Sequence, residues 1–390
     1  MKQRIFGLIL IGLIYCFLEM SSLASLQILA KYKNVEYSPS IRHQLSSKSR
    51  HKLLSLIKNK TKYITCSREL GWSLIPGGTS DNKKYHANND TIRSDKEFTL
   101  EPPAKKIRIA TFGDSFVHGD NVILEETWQK KMLLENENLE VLNFGVGGYG
   151  LDQAYLRYLN DGARFNPHIV FIGYMPENIH RNVSVFRPFY IEDTSLPLSK
   201  PYFIINKNNE LSLIPNPIQS IEEYRPLLKK PKQTLKKLGK NDFFYQTKYS
   251  QSILDFSPFV RLFKIFIHQL QPKIISNEYY NQKHDAYKIT TKIFDQFYQS
   301  AQKNKSTPII LITPTENDVR RYKKTKTKMY QPLLDYFDEK NYQVIDLMGA
   351  FEKYDKNKRL YNYFINHYSP KATPFIAKYI IEELEKKNLI

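Results

Sequence analysis

The sequence predicts an α/β protein, a three-layer α/β/α sandwich on a parallel sheet of about five strands with a large insertion. Two observations carry this. From residue 105 short apolar runs alternate with segments of helical spacing, the pattern of parallel strands joined by crossover helices. The alternation breaks near residue 185 and returns at "TPIILITPT" (307–315), which sets off an insertion over 185–290 rich in Tyr, Phe and Lys.

The elements follow in order. "KIRIATFG" (106–113) is a first short strand, "EETWQKKMLLENE" (125–137) a helix, and "LEVLNFGV" (139–146) a second strand. "GLDQAYLRYLNDGARF" (150–165) is helical, and "PHIVFIGYM" (167–175) is a third strand. Inside the insertion, "PFVRLFKIFIHQL" (258–270) has the spacing of an amphipathic helix. "TPIILITPT" and "YQVIDL" (342–347) complete the sheet, and "SPKATPFIAKYIIEELEKK" closes the chain as a helix. Ahead of this domain (105–390) stands a polar, basic extension, 31–104, containing "LGWSLIPGG" and "NNDTIRSDKEF" and ending in the linker "EPPAKK".

Residues 1–30 form a segment of their own. Lys2 and Arg4 precede an uncharged run, Ile5–Leu18, of about 14 residues, short of the ~20 that a membrane span requires. Apolar residues resume after Glu19, and Ser22-Leu23-Ala24 has the form of a cleavage site. The segment is therefore a signal peptide or an N-terminal membrane anchor that leaves the bulk of the chain in the periplasm or another extracytoplasmic space.

Composition narrows the function. Hydrophobic residues at 41% and charged residues at 25% describe a folded globular chain of 390 residues. The 58 Lys and Arg against 39 Asp and Glu give +19, yet no nucleic-acid-binding motif accompanies that charge. Much of it is local: 225–248 holds eight basic residues and one acid, Asp242, a solvated face. Two cysteines, Cys16 and Cys66, cannot build a disulfide framework.

In such a sheet, ligands bind at the carboxyl ends of the strands beside the switch point. Ser115 follows the first strand in "GDSF", "GVGGYG" follows the second, and "MPENIHRN" the third. Alone, Ser115 reads as a turn or cap residue as readily as a nucleophile. Gly145, Gly147 and Gly150 satisfy G-x-G-x-x-G, but that dinucleotide fingerprint belongs to the first strand of its unit. Gly148 could instead offer an unobstructed N–H to an oxyanion, and Asn178 an amide. His367, in "INHYSPK" before the last helix, is the candidate base, ahead of His118 and His180. No metal and no cofactor is expected.

These residues resemble the SGNH (GDSL-type) hydrolases. "GDSF" is similar to the block that carries the nucleophile, which implies Ser115, and the resemblance implies a flavodoxin-like sheet. "NFGVGGYG", with Asn143 laid on that block's asparagine, implies Gly148 as oxyanion donor. "MPENIHRN" resembles the third block, where a gapless register would select Glu177; an ionised Glu cannot donate, so Asn178 is chosen. "NHYSP" resembles the block that carries the base, which implies His367. That block normally has Asp three residues earlier, where this chain has Phe364, which leaves the third member of the triad open between a main-chain carbonyl, Asp346 and Asp355. "LGWSLIPGG…TIRS" is like the extended, envelope-associated members. The resemblance thus implies a serine esterase or acyltransferase acting on O-acyl, above all O-acetyl, esters of envelope polysaccharide, with the insertion as acceptor wall. The competing expectation is a glycan-binding envelope protein that uses the same cleft without catalysis.

Overall fold

A computed structural model describes residues 2–33, 44–248, 253–354 and 360–390. Five strands, β1 (Ile107–Phe112), β2 (Leu139–Asn143), β3 (Ile169–Tyr174), β4 (Thr307–Ile312) and β5 (Val344–Asp346), form one sheet. Its order is β2-β1-β3-β4-β5 and every pairing is parallel. This is the doubly wound 2-1-3-4-5 arrangement, whose switch point lies between β1 and β3. Ile109 sits level with Val141 on one side and with Ile169 on the other.

The strands are mostly apolar because both faces are covered; Arg108 in β1 is buried and paired with Glu140 in β2. Alternate residues feed two separate cores. Ala110, Phe112, Leu142, Ile172 and Ile310 pack with the helices Leu151–Arg157 and Asp285–Lys303 on one face. Ile109, Val141, Phe171, Ile309 and Ile345 pack with Trp128–Glu135 and Thr373–Lys386 on the other. Asp285–Lys303 begins inside the interval 185–290, so the sheet's own cover resumes before that interval ends.

Outside the sheet, the extension folds as a helix, Ser47–Ile57, and a hairpin pairing Ile64–Ser67 with Gly71–Leu74. Its Leu53, Leu56, Trp72 and Leu74 join the first of the two cores. The insertion contributes a second hairpin, Tyr202–Ile205 with Leu211–Ile214, and short helices that carry the basic run. Lys200 ties this insertion to the domain by an ion pair with Asp152, both buried. Burial pushes the Asp152 carboxyl up, and the Lys200 ammonium opposes that shift.

Lys200→Met strands a buried carboxylate and is expected to cost about 3–5 kcal/mol in urea unfolding, whereas Lys200→Met with Asp152→Leu recovers most of that loss. Equal losses in the single and double variants would contradict the assignment.

Candidate active site

β1 ends at Phe112, and Gly113-Asp114 turn the chain into the four-residue helix Ser115–His118. Asp114 is the N-cap: its side chain accepts the Phe116 N–H at 2.9 Å. Burial pushes the Asp114 carboxyl up, while Arg181 at 3.5 Å, the Phe116 N–H and the Asn178 amide pull it the other way. The cap role that Ser115 could have filled thus belongs to Asp114, and the Ser115 hydroxyl is left for other use.

That hydroxyl meets His367. Ser115 Oγ lies 2.7 Å from His367 Nε2, across 252 residues of sequence. His367 opens the second arm of a small hairpin, Phe364–Ile365 with His367–Tyr368, and its ring packs on Phe116 with centroids 4.9 Å apart. The other ring nitrogen, Nδ1, lies 2.6 Å from Asn121 Oδ1. With Oδ1 accepting from Nδ1–H, Nε2 is the acceptor for the serine proton, the tautomer that a general base requires.

Asn121 thus occupies the place left open in the sequence. Phe364 is buried and stacks on Phe351, so it belongs to the core below the site. Asp346 accepts from Lys328 Nζ at 2.8 Å and Tyr330 Oη at 3.0 Å and does not orient His367. Asp355 lies outside the described residues. Asn121 follows Ser115 by one tight loop and takes a φ of 76°, which Asn adopts more readily than most side chains. No sequence spacing marks it; the signal is spatial.

The extension holds this loop in place. Tyr85 Oη accepts the Asn121 N–H at 2.9 Å. The buried Arg93 guanidinium donates to the carbonyls of His118, Gly119 (2.6 Å) and Val122 (2.6 Å). Tyr63 Oη lies 2.7 Å from His118 Nε2, and His118 Nδ1 lies 2.6 Å from Asp120 Oδ1. Burial, reinforced by Arg93, pushes the His118 imidazole below its usual range, and Asp120 opposes that shift. Burial pushes Asp120 up, but His118, His367 and Arg93 together hold it below the usual carboxylate range. With His118 Nδ1–H donating to the Asp120 carboxylate, Nε2 accepts from the Tyr63 hydroxyl. His118 is part of a second chain beside the Ser115–His367–Asn121 chain.

The glycine loop after β2 comes to the same edge. Gly148 has a φ of 83°, and a Cβ there would lie 3.1 Å from Arg187 Cζ and from Leu196 Cδ1. Arg187 fixes the loop by donating to the Gly148 carbonyl at 2.8 Å, and Trp72 of the extension donates to the Gly147 carbonyl at 3.0 Å. Burial, with Arg181 nearby, pushes the Arg187 guanidinium down to about 10. The Ser115 and Gly148 N–H groups donate to no other group among the described residues. Gly145 has a packing role, since a Cβ there would lie 2.3 Å from the His118 backbone nitrogen.

Asn178 begins the short helix Asn178–Arg181 after β3 and is buried, and its Oδ1 has no hydrogen-bond partner among the described residues. Its neighbour Glu177 turns away to Tyr190 and Arg181. His180 packs against Tyr279, and burial drops it to about 4, far from the serine's hydrogen bonds. Beside Asp120 and Gly147 opens a cavity of about 270 Å³. Its walls come chiefly from the extension, through Tyr63, Tyr85, Lys52 and Lys62, and the insertion adds only Ser195 and Leu196.

No protein-family model and no curated protein matches the sequence. Among solved structures, a member of the lipolytic protein G-D-S-L family from Veillonella parvula DSM 2008 is similar at 13% identity over 70% of this chain and 96% of that one, with a TM-score of 0.34. An acetyl xylan esterase is similar at 14% identity over 71% and 98%, with a TM-score of 0.35. An alpha/beta hydrolase enzyme from the metagenome of Lake Arreo, Spain, is similar at 12% identity over 73% and 97%, with a TM-score of 0.39. The chemistry of the site rests on its own atoms.

Asn121→Asp places a carboxylate on His367 Nδ1 and favours the imidazolium. A base works only when neutral, so the acid limb of the pH–rate profile for a simple acetyl ester is expected to move up by about 1 unit or more. A profile that stays in place would contradict the role of Asn121 as the positioning residue.

Proposed function

We propose that the protein is a serine-dependent acyl-transfer enzyme, an esterase or acyltransferase acting on O-acyl esters, with O-acetyl groups on a carbohydrate as the preferred class. The observation that carries this reading is the continuous chain Ser115 Oγ, His367 Nε2, His367 Nδ1 and Asn121 Oδ1, with contacts of 2.7 and 2.6 Å. A nucleophile, a base and an orienting group in hydrogen-bond reach are what covalent catalysis at a carbonyl requires.

In this mechanism His367 Nε2 takes the serine proton as Ser115 Oγ bonds to the ester carbonyl carbon. The carbonyl oxygen becomes an oxyanion, received by the N–H groups of Ser115 and Gly148 and by the Asn178 amide. The C–O bond to the alcohol then breaks, and the imidazolium returns its proton to the leaving oxygen. Water, or a sugar hydroxyl in an acyltransferase, enters by the same steps reversed: it gives its proton to His367, bonds to the acyl carbon and releases Ser115.

A carbohydrate is also supported by the cavity beside Gly147, where the Asp120 carboxylate and the Tyr85 ring stand together. Carboxylates accept from sugar hydroxyls, and aromatic rings cover apolar sugar faces. The neutral Asn121 gives the imidazolium no adjacent negative charge, which favours slower turnover than a Ser-His-Asp triad. In the limit, this is also the observation that favours a binding protein using the same cleft. The apolar N-terminal helix supports an extracytoplasmic location with Lys2 and Arg4 on the inner side.

A fluorophosphonate probe is expected to label the wild-type protein and not Ser115→Ala; labelling independent of Ser115, or none, would favour the binding protein. Asn178→Ala is expected to lower kcat by about 10²–10³-fold on an acetyl ester, with a smaller effect on KM.

A further inference from the structure

The apolar helix Lys2–Lys33 packs along Pro258–Glu278, the 21-residue helix of the insertion. The contact is anchored by Glu19, the single acid of the first helix. Its carboxylate accepts from Ser257 Oγ at 2.5 Å and from the Phe259 N–H at 3.1 Å, and so caps the start of the second helix. From Glu19 onward one stripe of the first helix, including Ser22, Ser25 and Leu29, is turned inward. Ile5–Leu18 ahead of it are exposed, apart from the half-buried Gly7, and so are Met20, Leu23 and Ile28 on the opposite flank.

The second helix shows the matching feature. Phe259, Phe263, Phe266 and Ile267, spaced to share one helix face, are all exposed, and Ile253, Leu254 and Phe256 just ahead of them are exposed as well. Phe256 keeps 72% and Phe263 55% of its surface open. An apolar surface of this extent has an occupant. The first helix identifies it: the apolar stretch Gln3–Tyr32 runs for 30 residues, about 45 Å, long enough to cross a bilayer core of ~30 Å. A carboxylate within such a segment is costly in lipid unless partnered, and Glu19 is partnered by the insertion.

We propose that Lys2–Lys33 and Pro258–Glu278 form one lipid-embedded unit clasped at Glu19, and that the N-terminal helix is therefore retained in the mature protein rather than cleaved after Ala24. The insertion then serves as a second membrane contact that holds the domain, and with it the site at Ser115, against the bilayer. This is independent of the acyl-transfer reading.

The test uses the full chain, expressed with its own N-terminus, extracted from membranes and reconstituted in vesicles of phosphatidylcholine and phosphatidylglycerol. Intact mass is expected to correspond to a chain that keeps Glu19. Phe263→Trp is then read against brominated phosphatidylcholine; the native Trp72 and Trp128 are buried in the domain and give a low background. At least twofold quenching of the added indole is expected, with Phe266→Trp as a second reporter on the same face. A mature chain that starts beyond Ala24 overturns the clasp. A full-length chain with both indoles unquenched overturns lipid as the occupant, as does cross-linking of the two Trp variants into dimers without quenching.

Discussion

The hydrogen bond between His367 Nδ1 and Asn121 Oδ1 is the constraint on which the site depends. It selects the tautomer of the imidazole, and the tautomer decides whether Nε2 accepts the Ser115 proton or repels it. Asn121 holds that position only because its loop is fixed from outside the sheet. Tyr85 receives its N–H, and Arg93 gathers three carbonyls of the same loop. Each carbonyl would be stranded in a buried setting without that guanidinium.

The extension is thus part of the machinery around Ser115. Arg93 and Tyr85 hold the loop after β1, while Trp72 bonds to the Gly147 carbonyl and accepts the Tyr149 hydroxyl at its own carbonyl, 2.6 Å away. Two of the three loops at the carboxyl edge are therefore set by residues from before the first sheet strand. A doubly wound sheet supplies the edge, but the edge alone leaves its loops free to move. Preorganised donors lower a barrier only when they are already in position.

Much of this was legible in the sequence, and the reasons differ by residue. The sheet was readable because both faces are covered, which makes the strands predominantly apolar runs bounded by turns. The pairing of Ser115 with His367 was readable because each sits in a short block whose type and order resemble those of a known family, and the same resemblance implies Gly148. Asn121 was not, because its role comes from loop closure in space and any polar residue in "HGDN" would look the same. The residues before His367 leave its partner open between a main-chain carbonyl, Asp346 and Asp355; the Asp346 carboxylate is engaged by Lys328 and Tyr330, and Asp355 lies outside the described residues. The extension's role was hidden for a similar reason: its hydrogen bonds run mostly to backbone carbonyls, which leave no pattern of partner residues.

One serine, one base and three oxyanion donors are proposed to act on a single carbonyl at this edge. The structure of the protein inactivated by a phosphonate ester tests it most directly. Phosphorus is expected on Ser115 Oγ, with a phosphonyl oxygen about 3 Å from the Ser115 N–H, the Gly148 N–H and the Asn178 amide. His367 should remain on Asn121. Phosphorus on another residue, or a phosphonyl oxygen turned to solvent with Gly148 and Asn178 unengaged, would contradict it.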